Sequence, residues 1–323
     1  MSALLAIVLF AAQLHSQTTR TVKFIPVDKT VRLEVVDWGG SGRSVVLLAG
    51  GGNSAHIFDD FAPKLGAACH AHVYGITRRG FGASGFLAPL NAVDRLRDDV
   101  LAVIDALNLT RPILIGHSIA GAEMSAIAAI HPNRVAGLVY LEAGYPYAFA
   151  SSDGATMQDF LNAQGPVPPS PSTSDLASFA ALQKWDAQIY GFPTPESELH
   201  QTWDSTQDGR PRAQRDPPGA EMLFSILTSL QRFTDIPAPA LAIFAMPHLP
   251  EPWIDKGPDN EVRQAAKTYF AAIDALAERQ AEALEHVRTV RVVRLRGMHY
   301  IFLSNESEVL REIRAFLASL PPA

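Results

Sequence analysis

Apolar and polar positions alternate along residues 21–38. Val22, Phe24 and Val27 precede Asp28-Lys29, and Val31, Leu33 and Val35 follow it. A two-residue period predicts two half-buried strands folded as a hairpin with its turn near Asp28-Lys29. Residues 39–42 read as a loop. The run over 44–49 is continuously apolar from Val45 onward, the pattern of a strand buried on both faces within a parallel sheet. It ends in Gly50-Gly51-Gly52-Asn53. Residues 57–68 take helical spacing (Phe58, Phe61, Leu65), and 71–76 form the next apolar strand. A turn-rich loop, Arg78-Arg79-Gly80-Phe81-Gly82-Ala83-Ser84-Gly85, leads to a helix over 92–107. Its apolar positions Leu96, Val100, Leu101, Ile104 and Leu107 recur three and four residues apart. A strand over 113–116, a helix to about Ile130 and a stop at His131-Pro132-Asn133 come next. A buried strand over 135–141 then ends at Glu142.

The alternation breaks at Gly144 and resumes near Ala238. Residues 165–174 are rich in Pro and Ser, and 208–219 are polar with three prolines. Helices are expected over 175–190, 195–203 and 221–233. An insertion of helices at a strand end reads as a lid over a site rather than a second domain. Its aromatic residues Phe160, Phe179, Trp185, Tyr190, Phe192, Trp203 and Phe224 are expected mostly to pack the lid onto the body. A strand over 239–245, a long helix over 260–286 and a strand over 289–295 follow. A last helix is expected over 304–320, with Ser304 as its N-cap. Strands alternating with helices at this spacing predict an α/β fold with a mostly parallel sheet. Ligands of such sheets sit beyond the carboxyl ends of the strands. Gly50–Gly52, Ser118 and Glu142 each follow a strand's C-terminal end and are candidates for one cleft.

Composition narrows the class. The 323 residues are 47% hydrophobic, enough for one large domain with a substantial core. The net charge of −6, with no Lys/Arg run, argues against a nucleic-acid partner. A single cysteine, Cys69, excludes an internal disulfide. The apolar run over 3–12 is too short to span a bilayer and reads as the core of a secretory signal over residues 1–17. Export is therefore expected, without stable membrane insertion. The oligomeric state is open.

The candidate chemistry centres on Gly116-His117-Ser118-Ile119-Ala120-Gly121. A strand running into a small-residue turn and then a helix is the setting of a nucleophile elbow, which raises a serine hydroxyl above the sheet edge. The usual Gly-x-Ser-x-Gly pattern has Ala120 in its last place, with Gly121 one residue later. A serine needs a base within hydrogen-bond reach and an orienting acid. His299, after the last strand and before the last helix, is the expected base. The acid commonly follows the strand that here ends at Ala245, yet Met246-Pro247-His248-Leu249-Pro250-Glu251 carries no aspartate in its first turn. Glu142, expected to be half buried, is the preferred acid over Asp255 or Glu251. The oxyanion donors are expected to be the amides of Ile119 and Gly51, with Gly52 as the second choice for the latter. Gly52, Asn53 and His117 are candidates to touch substrate. His56 and His248 lie on strand-end loops and are expected to face solvent. No histidine pair has metal-ligand spacing, so no metal is expected.

These motifs resemble the α/β-hydrolase superfamily. The likeness rests on Leu-Leu-Ala-Gly-Gly-Gly at 47–52, Arg-Arg-Gly-Phe-Gly-Ala-Ser at 78–84, Gly-His-Ser-Ile-Ala-Gly at 116–121, His-Pro-Asn-Arg-Val at 131–135 and Gly-Met-His at 297–299. It implies an α/β-hydrolase core over 21–143 and 237–321, with a helical cap inserted over 144–236. The acid in Leu-Val-Tyr-Leu-Glu-Ala (138–143) is similar in place to that of haloalkane dehalogenases and zearalenone-type lactonases. Dehalogenases and epoxide hydrolases carry aspartate at the elbow, so Ser118 implies acyl transfer instead. The implied activity is a cofactor-free serine hydrolase acting on a small carboxylic ester or lactone through an acyl-enzyme. Rival expectations with the same residues are amide or carbon–carbon bond cleavage, perhydrolysis, and a receptor-like protein with little turnover.

Overall fold

The expected hairpin forms, but its burial does not alternate: Val22 and Phe24 are exposed while Ile25 is buried, and Leu33, Glu34, Val35 and Val36 are buried in succession. In the computed structural model, which describes residues 20–88, 91–229, 231–257 and 259–322, β1 (Thr21–Pro26) pairs antiparallel with β2 (Arg32–Gly40). Asp28 Oδ1 closes the turn by accepting from the amides of Thr30 and Val31 at 2.8 and 2.7 Å. The expected signal segment, residues 1–17, lies outside the described residues.

Six further strands join these two: β3 (Arg43–Leu48), β4 (Ala71–Ile76), β5 (Ile113–His117), β6 (Gly137–Leu141), β9 (Ala240–His248) and β10 (Val290–Gly297). The numbers β7 (Trp203–Ser205) and β8 (Pro211–Gln214) belong to a separate hairpin. The eight-stranded sheet runs β1-β2-β4-β3-β5-β6-β9-β10. It is antiparallel only where β2 meets β1 and β4. This is the mostly parallel α/β sheet that the chain pattern predicts.

The helices of the body are α1 (Ala62–Cys69), α2 (Ala92–Ala106), α3 (Ala120–Ile130), α9 (Asn260–Glu285) and α11 (Glu306–Ser319). They cover both sheet faces, which is why the central strands show no polar alternation. Val45, Leu47, Ile113 and Ile115 pack with Leu65 of α1 and Ile313 of α11. Their chain neighbours Val46, Leu48 and Leu114 pack with Leu96 of α2, Ile127 of α3 and Leu276 of α9.

Between β6 and β9 lie α4 (Met157–Asn162), α5 (Phe179–Tyr190), α6 (Glu196–Thr202), the β7–β8 hairpin and α7 (Ala220–Leu227). The hairpin was not expected. Its first strand follows α6 directly and only its turn and second strand fall in the polar stretch over 208–219, where Gly209 takes φ +81° and Pro211 opens β8, a place where a missing N–H is tolerated. Phe179 is buried and Phe224 is exposed, so only part of the aromatic set packs inward.

Several boundaries shift. The helix expected over 57–68 is a 3-10 turn (Ala55–Phe58) followed by α1, whose first turn holds Pro63, where a proline costs no hydrogen bond. The strand expected to end at 245 continues to His248, beside which stands the short α8 (Pro252–Asp255). The last helix divides into α10 (Ile301–Ser304) and α11. Ser304 therefore ends a helix rather than capping one. Its hydroxyl donates to Asn305 Oδ1 at 2.9 Å, while Asn305 Nδ2 donates to the Arg296 carbonyl at 3.0 Å.

His56 does not face solvent. It is buried between Asp59, at 2.9 Å from Nδ1, and Glu34, at 3.5 Å from Nε2. Burial opposes its charge, but the two carboxylates outweigh burial and lift its pKa to about 9. A pKa raised on folding gives stability that is fully present below the ordinary value near 6.5 and is lost as pH rises through about 9. Thermal melts at pH 6 and pH 9.5 should therefore show a drop in Tm that is smaller in His56→Gln than in the wild type.

Candidate functional site

β5 is buried along all five residues and delivers Ser118 to the sheet's carboxyl edge. Ser118 takes φ +52°, a left-handed backbone that costs a non-glycine residue on the order of 1 kcal/mol. Its amide donates to the Leu141 carbonyl at 3.1 Å, tying the turn to the end of β6. Glycine is required at two nearby places. A Cβ on Gly116 would lie 2.8 Å from Met124, and one on Gly121 only 2.0 Å from the Ala143 carbonyl oxygen. The Ala120 methyl is accommodated and fully buried. The glycine requirement has thus moved one residue along, because the chain leaving β6 is laid directly across Gly121.

Glu142 ends β6, also with a left-handed backbone (φ +50°). It is fully buried rather than half buried. Its Oε1 accepts from the Ala245 amide at 2.6 Å. Its Oε2 accepts from Tyr145 Oη at 3.0 Å, His248 Nε2 at 3.0 Å and His299 Nδ1 at 3.2 Å. Burial alone would raise this carboxyl's pKa. The hydrogen bonds from His248 and His299, and then their charges, outweigh burial and hold it near 2. Of the other acids considered, Asp255 is exposed, and Glu251 reaches His299 only through its charge. Neither hydrogen bonds to the ring.

His299 follows β10 with its side chain 45% exposed. Glu142 occupies Nδ1, which leaves Nε2 for proton transfer. Among the described residues no hydrogen bond joins Ser118 to His299. Beneath both lies His117, its ring centroid 4.7 Å from that of His299. The His117 Nε2–H donates to the His299 carbonyl at 3.0 Å. Burial, with a smaller contribution from the His299 charge, brings its pKa down to about 3, so it is neutral.

The glycine loop after β3 faces the same edge. Arg78, buried against Glu123 at 2.6 Å, donates to the carbonyls of Ala49 and Gly50 at 2.8 and 3.2 Å. Gly50 is pressed against His117: a Cβ there would lie 2.6 Å from its Nδ1. Gly51 lies under Leu223 of α7 and near Ile119. Asn53 is held at both ends. Its Nδ2 donates to Glu198 Oε1 at 3.0 Å, and its Oδ1 accepts from Tyr300 Oη at 2.9 Å. Glu198 of α6 also accepts from the Ser54 amide at 2.9 Å and the Ser54 hydroxyl. Burial pushes its pKa up to about 7 against these bonds. Gly51, Gly52, Asn53 and Tyr300 line a cavity of about 270 Å³, walled on the other side by Tyr190, Phe192 and Trp203.

Three groups here were missed or misjudged from sequence. His248, expected in solvent, is buried on Glu142. Tyr145 caps the same oxygen. Tyr147 is buried; its hydroxyl faces Ser118 but closes no hydrogen bond. The only signal in the chain was the aromatic run Gly-Tyr-Pro-Tyr directly after Glu142-Ala143.

The model of the alpha/beta hydrolase fold matches residues 43–246. The chain belongs to this family. Among its relatives, a pyrethroid hydrolase of Sphingobium wenxiniae is 30% identical over 135 residues, 41% of this chain and 45% of that protein. Epoxide hydrolase A of Mycobacterium tuberculosis is 32% identical over 114 residues, 34% of this chain and 35% of that protein. The match thus spans less than half the length of either relative. The structure of an E-2-(acetamidomethylene)succinate hydrolase superposes with a TM-score of 0.64 at 16% identity, over 93% of this chain and all of that one. An enol-lactonase from Burkholderia xenovorans gives 0.56 at 17%, over 92% of this chain and all of that one. At such identities the likeness is one of fold. Among the described residues no helix is long and apolar enough to cross a membrane.

The packing at the elbow makes a direct prediction. Gly121→Ala drives a methyl into a backbone carbonyl and should cost about 1–3 kcal/mol, read as a lowered urea midpoint. Ala120→Gly should cost about 1 kcal/mol or less by the same measurement.

Proposed function

We propose that the protein is a serine hydrolase that cleaves a carboxylic ester or lactone, with Ser118 as nucleophile, His299 as base and Glu142 as acid. The observation that carries this reading is a strained serine at the edge of the sheet, directly after a histidine, His117, whose ring centroid lies 4.7 Å from that of half-exposed His299, whose Nδ1 is hydrogen bonded to a fully buried carboxylate. His299 Nε2 takes the Ser118 proton as Oγ attacks the carbonyl carbon. The oxygen, now negative, is held by the Ile119 amide at the start of α3 and the Gly51 amide of the glycine loop. His299 then returns its proton to the leaving alkoxide and activates a water that releases the acid. Glu142 keeps the ring oriented and stabilises its cation.

The helices between β6 and β9 act as a cap in this reading. They supply the aromatic wall opposite the glycine loop, and so set which acyl or alcohol groups fit. Tyr147 gives the substrate one more contact. A buried hydroxyl without a partner is costly, and a substrate oxygen held at Ser118 would satisfy it. Burial, with the nearby Glu142 charge, drives its pKa upward, so it acts as a donor and not as a base.

Turnover of p-nitrophenyl butyrate and of a lactone series, set against matched anilides, tests ester against amide cleavage. Ser118→Ala should lower kcat by on the order of 10⁴–10⁶; retained activity would remove Ser118 from the mechanism. Glu142→Gln should cost on the order of 10²-fold or more. Asp255→Asn should stay within about twofold, and the reverse order would move the acid to α8. Tyr147→Phe, compared by kcat/KM, should lose about tenfold, the worth of one hydrogen bond to substrate; an unchanged value would place its hydroxyl outside the reaction.

A further inference from the structure

His248 stands at the end of β9, where the loop has no aspartate in its first turn. Its ring is held from both sides by carboxylates. Nε2 lies 3.0 Å from Glu142 Oε2, and Nδ1 lies 2.7 Å from Asp274 Oδ1 of α9. The His248 amide also donates to Asp274 Oδ1, at 2.9 Å. An ionised carboxylate oxygen only accepts, so both ring nitrogens need a proton and the ring is a cation. Glu142 Oε2 thus carries two imidazoles, one sealed inside and one half exposed, at 3.0 and 3.2 Å.

We propose that His248, clamped by Asp274, is a positioning residue for the pair Glu142–His299: it fixes the oxygen on which His299 rests and takes up part of the charge that His299 would otherwise feel. This rests on the reading of Ser118, His299 and Glu142 given above. A carboxylate serving one histidine lends that histidine its full charge, so the base holds its proton more firmly and is spent at low pH. A carboxylate already paired with a cation lends less. The buried pair therefore keeps His299 available as a neutral base to lower pH, while the hydrogen bond that orients it remains. The desolvated charges still balance, because Asp274 offsets the cation that His248 brings in.

The other groups facing His248 act the same way before and after substitution. Glu251, on the loop leading to α8, acts through its charge alone. Asp255 of α8 and Arg263 and Lys267 of α9 line a cavity that His248 also borders. Among the described residues Glu251, Asp255 and Lys267 make no hydrogen bond to the ring, whose partners are Glu142 and Asp274. Burial works against the His248 cation, but Glu142 and then Asp274 outweigh it and place its pKa near 9, so it stays charged through neutral pH.

The test is the pH dependence of the rate at which a fluorophosphonate phosphonylates Ser118 with release of fluoride, with kcat/KM for p-nitrophenyl butyrate alongside. His248→Gln keeps a donor toward Glu142 and deletes the charge. Its acid limb should move to higher pH by about one unit, with the alkaline plateau held within about threefold. His248→Phe deletes donor and charge, and should lower the plateau as well. Asp274→Asn removes the charge that offsets the His248 cation from a partly exposed position, and should move the limb the opposite way, to lower pH, by less. It keeps the test available if the core variants fold poorly. An acid limb that stays in place in His248→Gln and Asp274→Asn, with activity falling evenly at all pH values, overturns the proposal and leaves the catalytic reading intact. Failure of the reagent to label Ser118 in the wild type overturns that reading, and the proposal with it.

Discussion

A carboxylate sealed from water must be surrounded by donors, and Glu142 imposes that demand on the ends of several strands at once. Taking an ion of this size out of water costs several kcal/mol even after the surroundings relax. The cost is met by an amide within β9, the histidine that ends that strand, a tyrosine from the chain leaving β6 and a histidine after β10. β5 is bound to the same place, since the Ser118 amide rests on the carbonyl of Leu141, immediately before Glu142. The carboxyl edge of the sheet is thus assembled around one buried charge. Losing that charge disturbs the seats of both Ser118 and His299.

The two left-handed backbones at Ser118 and Glu142 belong to the same construction. Each ends one of two neighbouring parallel strands and turns its side chain where an ordinary strand exit would not. Strain of this kind persists only where the surroundings over-determine it. Here Gly121 lets the chain after β6 lie against α3, and Gly50 lets the first loop lie against His117. Small residues at these contacts are what allow three loops from separate strands to meet.

Much of this was legible in the chain because the body obeys simple periods. Runs such as 113–117 and 137–141 are apolar throughout since helices cover both faces, and the strand–turn–helix around Ser118 declares itself through Gly116 and the small residues after it. Glu142 stood out because no aspartate directly follows β9 and because it sits at the end of β6. His248 was misread because a histidine on a strand-end loop is ordinarily solvated. Its burial comes from Asp274, 26 positions away on a helix, and from Glu142 on another strand. No local pattern encodes such a meeting. The segment between β6 and β9 was harder still. There α5, α6 and α7 lie near the places where helices were expected, and α5 buries Phe179, Leu182 and Ile189 at helical spacing, but the six-residue α4 and the β7–β8 hairpin carry no such period.

Glu198 gives that segment a second significance. It lies on α6, yet its carboxylate gathers Asn53 and both the amide and hydroxyl of Ser54, and Asn53 reaches on to Tyr300 beside His299. The part of the chain that walls the cavity is therefore also a strut for the loop carrying the Gly51 amide. In a modular enzyme, specificity could be exchanged by grafting one lid for another. Here a graft that lacked an acid at this place would deliver a new cavity onto a slackened loop, and it would lose rate before it gained selectivity. The useful unit for recombination is the segment together with Asn53, Ser54 and Tyr300, a set scattered over nearly the whole chain.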